Sequence, residues 1–258
     1  MITFNEIKYF NSLPDILFKE KINDTIQTFS ENSFNDFLNN NGFCIVNNVQ
    51  NAIEFFQKKS DIFGDIIHQT NDKKSLGYSV SYSQNNKPTN YQLNSNRAQP
   101  LHTDGHYAPI TPKFIALYCV NQSYKGGISQ IIKSQDIYSY LQNKCTLDTK
   151  SLFDTKINYK RKSPTGGYFD YSRSLFNLND DKLEINYNPI MYSISSTIRI
   201  ENTLRLINYY CANPNNQIQF RLKSNQLLVM NNLSVLHGRS SFPIDSERKM
   251  ERFWLTGI

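Results

Sequence analysis

The sequence predicts a mostly β fold with flanking helices. Apolar residues recur at helical intervals in residues 1–40 and 51–63, near the start of the chain, and again in 198–211. Between residues 150 and 195, short β-type runs alternate with turn signals, a spacing typical of sandwiches and barrels. Helices first and a β-rich body after them favour a double-sheet jelly roll with helical decoration.

The length of the chain favours a single domain. Its 258 residues are enough to bury a substantial core, and the composition does not change abruptly along the sequence. We therefore expect one domain over 1–258, with a helical N-terminal part and first strand in 1–70 and the jelly-roll body with inserts in 71–258. The hydrophobic fraction of 39% is low, but 17 Phe and 16 Tyr supply bulk for a core.

The N-terminal third combines two helical segments with one strand. Ser33 is placed to cap a short helix that begins at Phe34. Gly42 to Val46 is a compact β-type run, and residues 51–63 return to helical spacing. Residues 78–100 are polar and aperiodic, which predicts a loop that is either a lid near a site or a solvated excursion.

The remaining elements are predicted from apolar runs and from the turn residues that separate them. Residues 114–120 are continuously apolar, as in a strand buried on both faces. We expect residues 218–222 and 226–230 to pair as a hairpin across the turn Lys223-Ser224-Asn225. The other predicted elements are strands at 128–132, 235–237 and 252–256 and helices at 134–141 and 198–211.

Composition also constrains location and partners. No apolar run approaches the roughly 18 residues that span a bilayer, and the N-terminus lacks a signal pattern, so we expect a cytoplasmic protein without membrane contact. Four scattered cysteines (Cys44, Cys119, Cys145 and Cys211) are typical of reduced thiols. The net charge is +6, but the 28 basic residues are dispersed, so a nucleic-acid partner is not indicated. The sequence leaves the oligomeric state open.

A candidate metal site begins at His102-Thr103-Asp104. Residues i and i+2 of an extended segment point to the same face, so His102 and Asp104 are able to present a nitrogen and an oxygen to one point. Imidazole and carboxylate are two-thirds of the two-His-one-carboxylate triad that holds iron(II) and leaves positions open. His237 is the candidate for the distant third ligand. Alone, a His-x-Asp is more often a surface pair, and a lone histidine more often a core residue.

Further motifs occur with this one in a fixed order along the chain. Together the set resembles the iron(II)- and 2-oxoglutarate-dependent oxygenases of the taurine dioxygenase and clavaminate synthase type, from about Gly42 to the C-terminus. The motifs are His102-Thr103-Asp104, Gly126-Gly127-x-Ser129, His237-Gly238-Arg239, Arg248 and Arg252.

The resemblance implies a double-stranded β-helix (jelly roll) of the clavaminate synthase-like kind, with Fe(II) at its open end. It implies Fe(II) ligation by His102, Asp104 and His237, with 2-oxoglutarate and O₂ as the other reactants. Arg248 matches the arginine that binds the far carboxylate of 2-oxoglutarate, helped by a hydroxyl at the position of Ser129. A planar guanidinium grips a carboxylate in a way that lysine cannot reproduce. Arg252 matches a second arginine that contacts either cosubstrate or substrate.

The same resemblance limits the expected type of reaction and class of substrate. Relatives that halogenate have Gly or Ala at the position of Asp104, so hydroxylation, or less often desaturation or cyclisation, is expected. The expected substrate is a small polar metabolite, with a free or carrier-bound amino acid suggested by analogy. Asn231-Asn232 replaces a common Asp-Asn, a change that we expect to affect turn packing only. We interpret Trp254 as core, and His106 as a contact to a ligand or substrate or as a packing residue.

Two other functions are compatible with these residues. One is a metal-binding jelly roll of the cupin type that carries zinc or manganese and is not an oxygenase. The other is an oxygenase acting on nucleic acid or protein side chains, suggested only by the basic charge balance.

Overall fold

The computed structural model describes residues 26–68, 77–82, 94–144, 149–154, 156–162, 168–179, 182–189, 192–193 and 198–258. The helical spacing noted before residue 26, residues 83–93 of the predicted loop at 78–100, and Cys145 lie outside these ranges. Within the described ranges, no helix is both long and apolar enough to span a membrane.

Two antiparallel sheets form the body of the protein. The larger has the strand order β1-β12-β4-β14-β2, and the smaller has the order β11-β5-β13-β3. The strands of the larger sheet are β1 (Phe43–Val46), β2 (Tyr78–Ser81), β4 (Phe114–Asn121), β12 (Leu227–Asn231) and β14 (Lys249–Leu255). Those of the smaller are β3 (Gln99–His102), β5 (Ser129–Lys133), β11 (Ile218–Phe220) and β13 (Val235–Arg239). The predicted mostly β fold is confirmed.

A hydrophobic core lies between the two sheets. Ile115 and Met230 of the larger sheet pack in one buried cluster with Ile131, Phe220 and Val235 of the smaller. Because side chains alternate across a strand, each of these strands also has an opposite face. That face is covered by helices on the outside of each sheet.

The N-terminal helices cover the outer face of the larger sheet. They are α1 (Asn35–Asn41), α2 (Ala52–Lys58) and α3 (Ser60–Phe63). Phe34, Phe56 and Phe63 pack with Ala116 of β4 and Phe253 of β14. β4 is therefore buried on both faces, which explains its continuous run of apolar residues.

The remaining elements cover the outer face of the smaller sheet. Leu101, Ile132 and Leu236 of that sheet pack in a second outer cluster with Ile137 and Leu204 from the covering helices. The helices are α4 (Ser134–Lys144), α5 (Thr149–Asp154) and α6 (Ile198–Ala212), and a 3₁₀ turn follows at Pro214–Asn216. The additional strands are β6 (Lys156–Lys162), β7 (Tyr168–Ser174), β8 (Phe176–Asn179), β9 (Lys182–Ile185) and β10 (Tyr192–Ser193).

Three local predictions were wrong. Residues 218–220 and 227–231 are not a hairpin, because β11 pairs with β5 of the smaller sheet while β12 pairs with β1 and β4 of the larger. Ser33 does not cap α1; its hydroxyl is hydrogen-bonded to Ser30, and the helix starts without a side-chain cap. Residues 78–81 form the edge strand β2 and are not part of a loop.

Candidate metal centre

Strand pairing brings the two candidate histidines together. β3 and β13 are antiparallel neighbours, and His237 is directly opposite His102 in their register. Side chains of directly opposite residues lie on the same face of a sheet. The two imidazole centroids are 4.5 Å apart, and both residues are buried.

Asp104 lies just beyond the end of β3, in a bend and not in the strand where its spacing placed it. The backbone N–H of Thr103 donates to Tyr187 O at 2.7 Å, which anchors the residue between the two candidate ligands. Gly105 follows with φ +76°, a left-handed conformation that permits the chain to turn away. The turn leaves Asp104 Oδ1 3.3 Å from His102 Nε2.

Asn232 fixes the backbone of Asp104. Its Oδ1 accepts from the Asp104 N–H at 2.8 Å, and its Nδ2 donates to Asp104 O at 2.9 Å and to Pro112 O at 3.0 Å. The side chain is fully buried. This amide therefore fixes the peptide groups of a candidate ligand. The expected change in turn packing concerned the neighbouring position, where Asn231 replaces an Asp, and it stays a prediction.

The second oxygen of Asp104 is held by two side chains of β14. Arg252 Nη1 and Trp254 Nε1 each donate to Asp104 Oδ2 at 3.0 Å. Burial alone would raise the pKa of Asp104, but the guanidinium of Arg252 and the imidazoles of His102 and His237 outweigh it and hold the pKa well below its ordinary value. The carboxylate is therefore ionised at neutral pH, as a metal ligand requires.

The two imidazoles are arranged to accept a metal ion. His102 Nδ1 lies 2.8 Å from Pro100 O, and since a carbonyl only accepts, this nitrogen carries the proton and leaves a lone pair on Nε2. The Gln99 amide nitrogen lies 3.2 Å from that Nε2. Burial, and then the neighbouring His102, lower the pKa of His237 to about 3, so its ring is neutral at neutral pH.

These three residues fit a divalent metal ion. One ligand atom from each of His102, Asp104 and His237 lies within 4.8 Å of the other two. Octahedral bonds of about 2.1 Å separate adjacent ligand atoms by about 3 Å, close to the observed Nε2–Oδ1 distance. His106 is not part of this group; its Nδ1 faces Thr103 O at 3.0 Å and its ring packs on Tyr159.

Arg248 lies buried next to the glycine turn Gly126-Gly127. A Cβ on Gly127 would be 3.1 Å from Arg248 Cδ, so the turn leaves room for the arginine side chain. Gly127 also has φ +63°, which favours glycine. The guanidinium lies 5.4 Å from the Phe242 ring centroid, and burial lowers the pKa of Arg248 to about 10. No carboxylate of the described residues pairs with it.

Ser129 and Arg239 are paired residues of the smaller sheet. Ser129 is buried on β5, directly opposite Arg239 on β13. Arg239 Nη2 donates to the carbonyls of Ser95 and Arg97, both at 2.9 Å, and its guanidinium packs 4.7 Å from the Phe242 centroid. Arg239 therefore ties the segment before β3 to the end of β13.

Three neighbours of the site were not predicted from the sequence: Asn232, Trp254 and Gln99. Trp254 could have been found from Arg252, because residues i and i+2 of a strand share a face. Gln99 precedes His102 by three positions and carried no comparable signal.

Comparison with known proteins identifies the family. The profile of the family described as taurine catabolism dioxygenase TauD, TfdA family matches residues 19–254. No curated protein gives a significant match.

Solved structures share the fold at low sequence identity. A taurine dioxygenase from Burkholderia xenovorans matches with a TM-score of 0.66 and 17% identity, over 88% of this chain and 81% of that one. An asparagine oxygenase in complex with Fe(II), hydroxyasparagine and succinate matches with a TM-score of 0.62 and 12% identity, over 88% and 77%. AAD-2 in complex with Mn(II) and N-oxalylglycine matches with a TM-score of 0.67 and 13% identity, over 90% and 91%.

The two-sheet fold and the profile match agree with the resemblance that the ordered motifs predicted. Since the profile spans nearly the whole chain, this protein belongs to the TauD, TfdA family and is an iron(II)- and 2-oxoglutarate-dependent dioxygenase.

Proposed function

We propose that this dioxygenase hydroxylates a small polar metabolite, with free or carrier-bound amino acids as the candidate class. The observation that carries the proposal is the convergence of His102, Asp104 and His237, whose ligand atoms lie within 4.8 Å of one another. Two histidines and one carboxylate are the ligand set of non-haem iron(II) oxygenases and leave coordination positions for other reactants.

In this proposal the three residues hold Fe(II). Bound iron supplies the oxidation of a substrate C–H bond by O₂, coupled to conversion of 2-oxoglutarate to succinate and CO₂. The chain provides two imidazole donors and one ionised carboxylate. Burial of all three keeps bulk water away from the reacting groups.

We propose that Arg248, with Ser129, binds the far carboxylate of 2-oxoglutarate. A buried guanidinium without a carboxylate partner among the described residues is matched in charge and shape to such a group. The pKa of Arg248, lowered to about 10, still leaves it charged at neutral pH. Its position against Gly127 and Phe242 restricts the directions in which the guanidinium can point.

Arg252 is the proposed contact for an anionic group of cosubstrate or substrate. It lies 3.0 Å from the carboxylate of Asp104, and hence next to the proposed metal position. Asp104 itself supports hydroxylation over halogenation, because a carboxylate at this position supplies the third ligand from the chain.

The proposed substrate class is supported by two similar solved structures and by the charge distribution of the chain. The similar structures include an asparagine oxygenase and a taurine dioxygenase, whose names refer to small polar compounds. We propose a small molecule and not a nucleic acid, because the 28 basic residues are dispersed along the chain. We also propose a single domain over 1–258. A location in the cytoplasm is proposed as well, supported by three buried free cysteines, Cys44, Cys119 and Cys211.

The test is turnover with Fe(II), 2-oxoglutarate and a panel of amino acids. We expect one amino acid, free or attached to a carrier, to accelerate both O₂ consumption and succinate release and to gain one oxygen atom. A protein that releases no succinate with any member of the panel, but does so with an oligonucleotide or a peptide, would contradict the small-molecule assignment. Retained Zn(II) or Mn(II) without any succinate would favour the cupin-type alternative.

A further inference from the structure

Trp254 is a core residue that also makes a polar contact at the candidate site. Its ring is buried in the core between the sheets, opposite Ile115 of β4. A buried tryptophan usually finds an acceptor for its indole N–H. Here the acceptor is Asp104 Oδ2, at 3.0 Å and 150 positions away in the sequence.

This contact bears on which oxygen of Asp104 is presented to a metal ion. Arg252 and Trp254 both donate to Oδ2, and Oδ1 is the oxygen that lies 3.3 Å from His102 Nε2. A carboxylate whose Oδ2 is held in this way is restrained from rotating about its terminal bond. Partners that hydrogen-bond to a ligand orient it and tune its affinity for the metal.

Arg252 and Trp254 contribute different things to this arrangement. Arg252 neutralises the buried carboxylate as well as orienting it, and its loss would leave an unpaired charge. Trp254 brings a neutral donor to Asp104, and its ring also lies 5.2 Å from the guanidinium carbon of Arg252. Removing the N–H while keeping the ring therefore isolates the orienting effect.

We propose that Trp254 is a positioning residue of the metal centre, whose indole N–H restricts Asp104 to ligation through Oδ1. The inference rests on the proposed role of Asp104 as a metal ligand. It predicts that a change of a single N–H, in a side chain outside the ligand set, weakens metal binding.

The composition of the chain permits an unusually selective test. Trp254 is the only tryptophan, so biosynthetic incorporation of an analogue in a tryptophan auxotroph changes this side chain alone. In 3-benzothienylalanine, sulfur replaces the N–H and the ring shape is kept. As the matched control, 5-fluorotryptophan keeps the N–H. Co(II) is the probe, with its dissociation constant measured by calorimetry and its absorption bands recorded.

We expect the sulfur analogue to weaken Co(II) binding by about tenfold or more and to shift the Co(II) bands, while 5-fluorotryptophan leaves both unchanged. Unfolding temperatures are recorded for the metal-free proteins. Lower stability of the sulfur analogue, with Co(II) affinity and bands unchanged, would assign Trp254 to packing alone and overturn the inference.

Further variants distinguish failure of the proposed metal site from failure of the inference about Trp254. If the wild-type protein binds Co(II) no better than His102→Ala, the proposed metal site itself fails. If the sulfur analogue does not fold, Trp254→Phe is compared with Ile115→Val, which trims the facing side chain without touching Asp104. Equal Co(II) affinity in these two variants would overturn the inference, and weaker binding by Trp254→Phe alone would support it.

Discussion

Asn232→Ala is expected to weaken both the fold and the metal centre. The substitution removes an acceptor for the Asp104 N–H and a donor to Asp104 O and Pro112 O. Asn232 is fully buried, so water does not easily replace the lost groups. A buried polar group left without its partner costs about 1–3 kcal/mol. The Asp104 N–H loses its acceptor, whereas the Asp104 and Pro112 carbonyl oxygens each keep a second lone pair. We therefore expect the free energy of unfolding to fall by about 3 kcal/mol in total.

The assay is urea unfolding of the metal-free protein, followed by Co(II) titration of the folded variant. Asn231→Ala is the matched control. Asn231 is the adjacent residue, it is half-buried, and its side chain makes no hydrogen bond to another described residue. We expect the control to stay within about 0.5 kcal/mol of the wild-type protein. For Asn232→Ala we expect Co(II) binding weakened by about tenfold or more.

The reasoning would be refuted by an Asn232→Ala protein that is as stable as the control and binds Co(II) like the wild-type protein. A loss of stability with normal Co(II) affinity would show that Asn232 supports the turn alone. Only the joint loss fits an amide that fixes the backbone of a ligand.

Two further predictions concern the cosubstrate and the pH dependence of stability. Arg248→Lys keeps the charge but loses the planar, two-pronged grip, so the KM for 2-oxoglutarate should rise by at least tenfold with kcat much less affected; an unchanged KM would remove Arg248 from its proposed role. The pKa of His237 is lowered to about 3 by burial and by His102, against 6.5 ordinarily. The unfolded chain therefore binds a proton that the folded protein does not, and the contribution of His237 to stability is fully present above about pH 6.5 and is lost as the pH falls toward 3. Urea midpoints measured from pH 7 to 4.5 should fall more steeply for the wild-type protein than for His237→Gln, and equal slopes would contradict this account.

Local patterns were enough to predict most elements of the fold. Continuous apolar runs and helical spacing correctly predicted β1, β4, β5, α4 and α6, within a few residues at each end. These signals depend on neighbouring residues, so a single sequence carries them. The profile match and the solved structures confirm the fold class and the family.

Pairing between distant strands was the part that local patterns could not supply. The turn at Lys223-Ser224-Asn225 satisfied the signal for a hairpin, but β11 and β12 join different sheets. A short apolar run has no preference for one sheet over the other until the whole core is assembled. The sequence for the same reason did not indicate that Asn232 contacts Asp104, which is 128 positions away.

Local patterns likewise predicted some features of the candidate site, whereas others depend on contacts between distant residues. The spacing of His102 and Asp104 favoured a shared direction, although Asp104 reaches it through a bend stabilised by Gly105 and Asn232 and not through the strand. Arg252 was identified by its place in a motif. Its bond to Asp104 depends on the pairing of β14 with β4, which local patterns do not specify.

The most direct test of the metal centre is an anaerobic titration with Fe(II) and 2-oxoglutarate, following the weak metal-to-ligand charge-transfer absorption. We predict one Fe(II) per wild-type chain with the band present, and neither band nor turnover in His102→Ala or His237→Ala. A band of wild-type intensity in either variant would contradict the assignment of these histidines to iron.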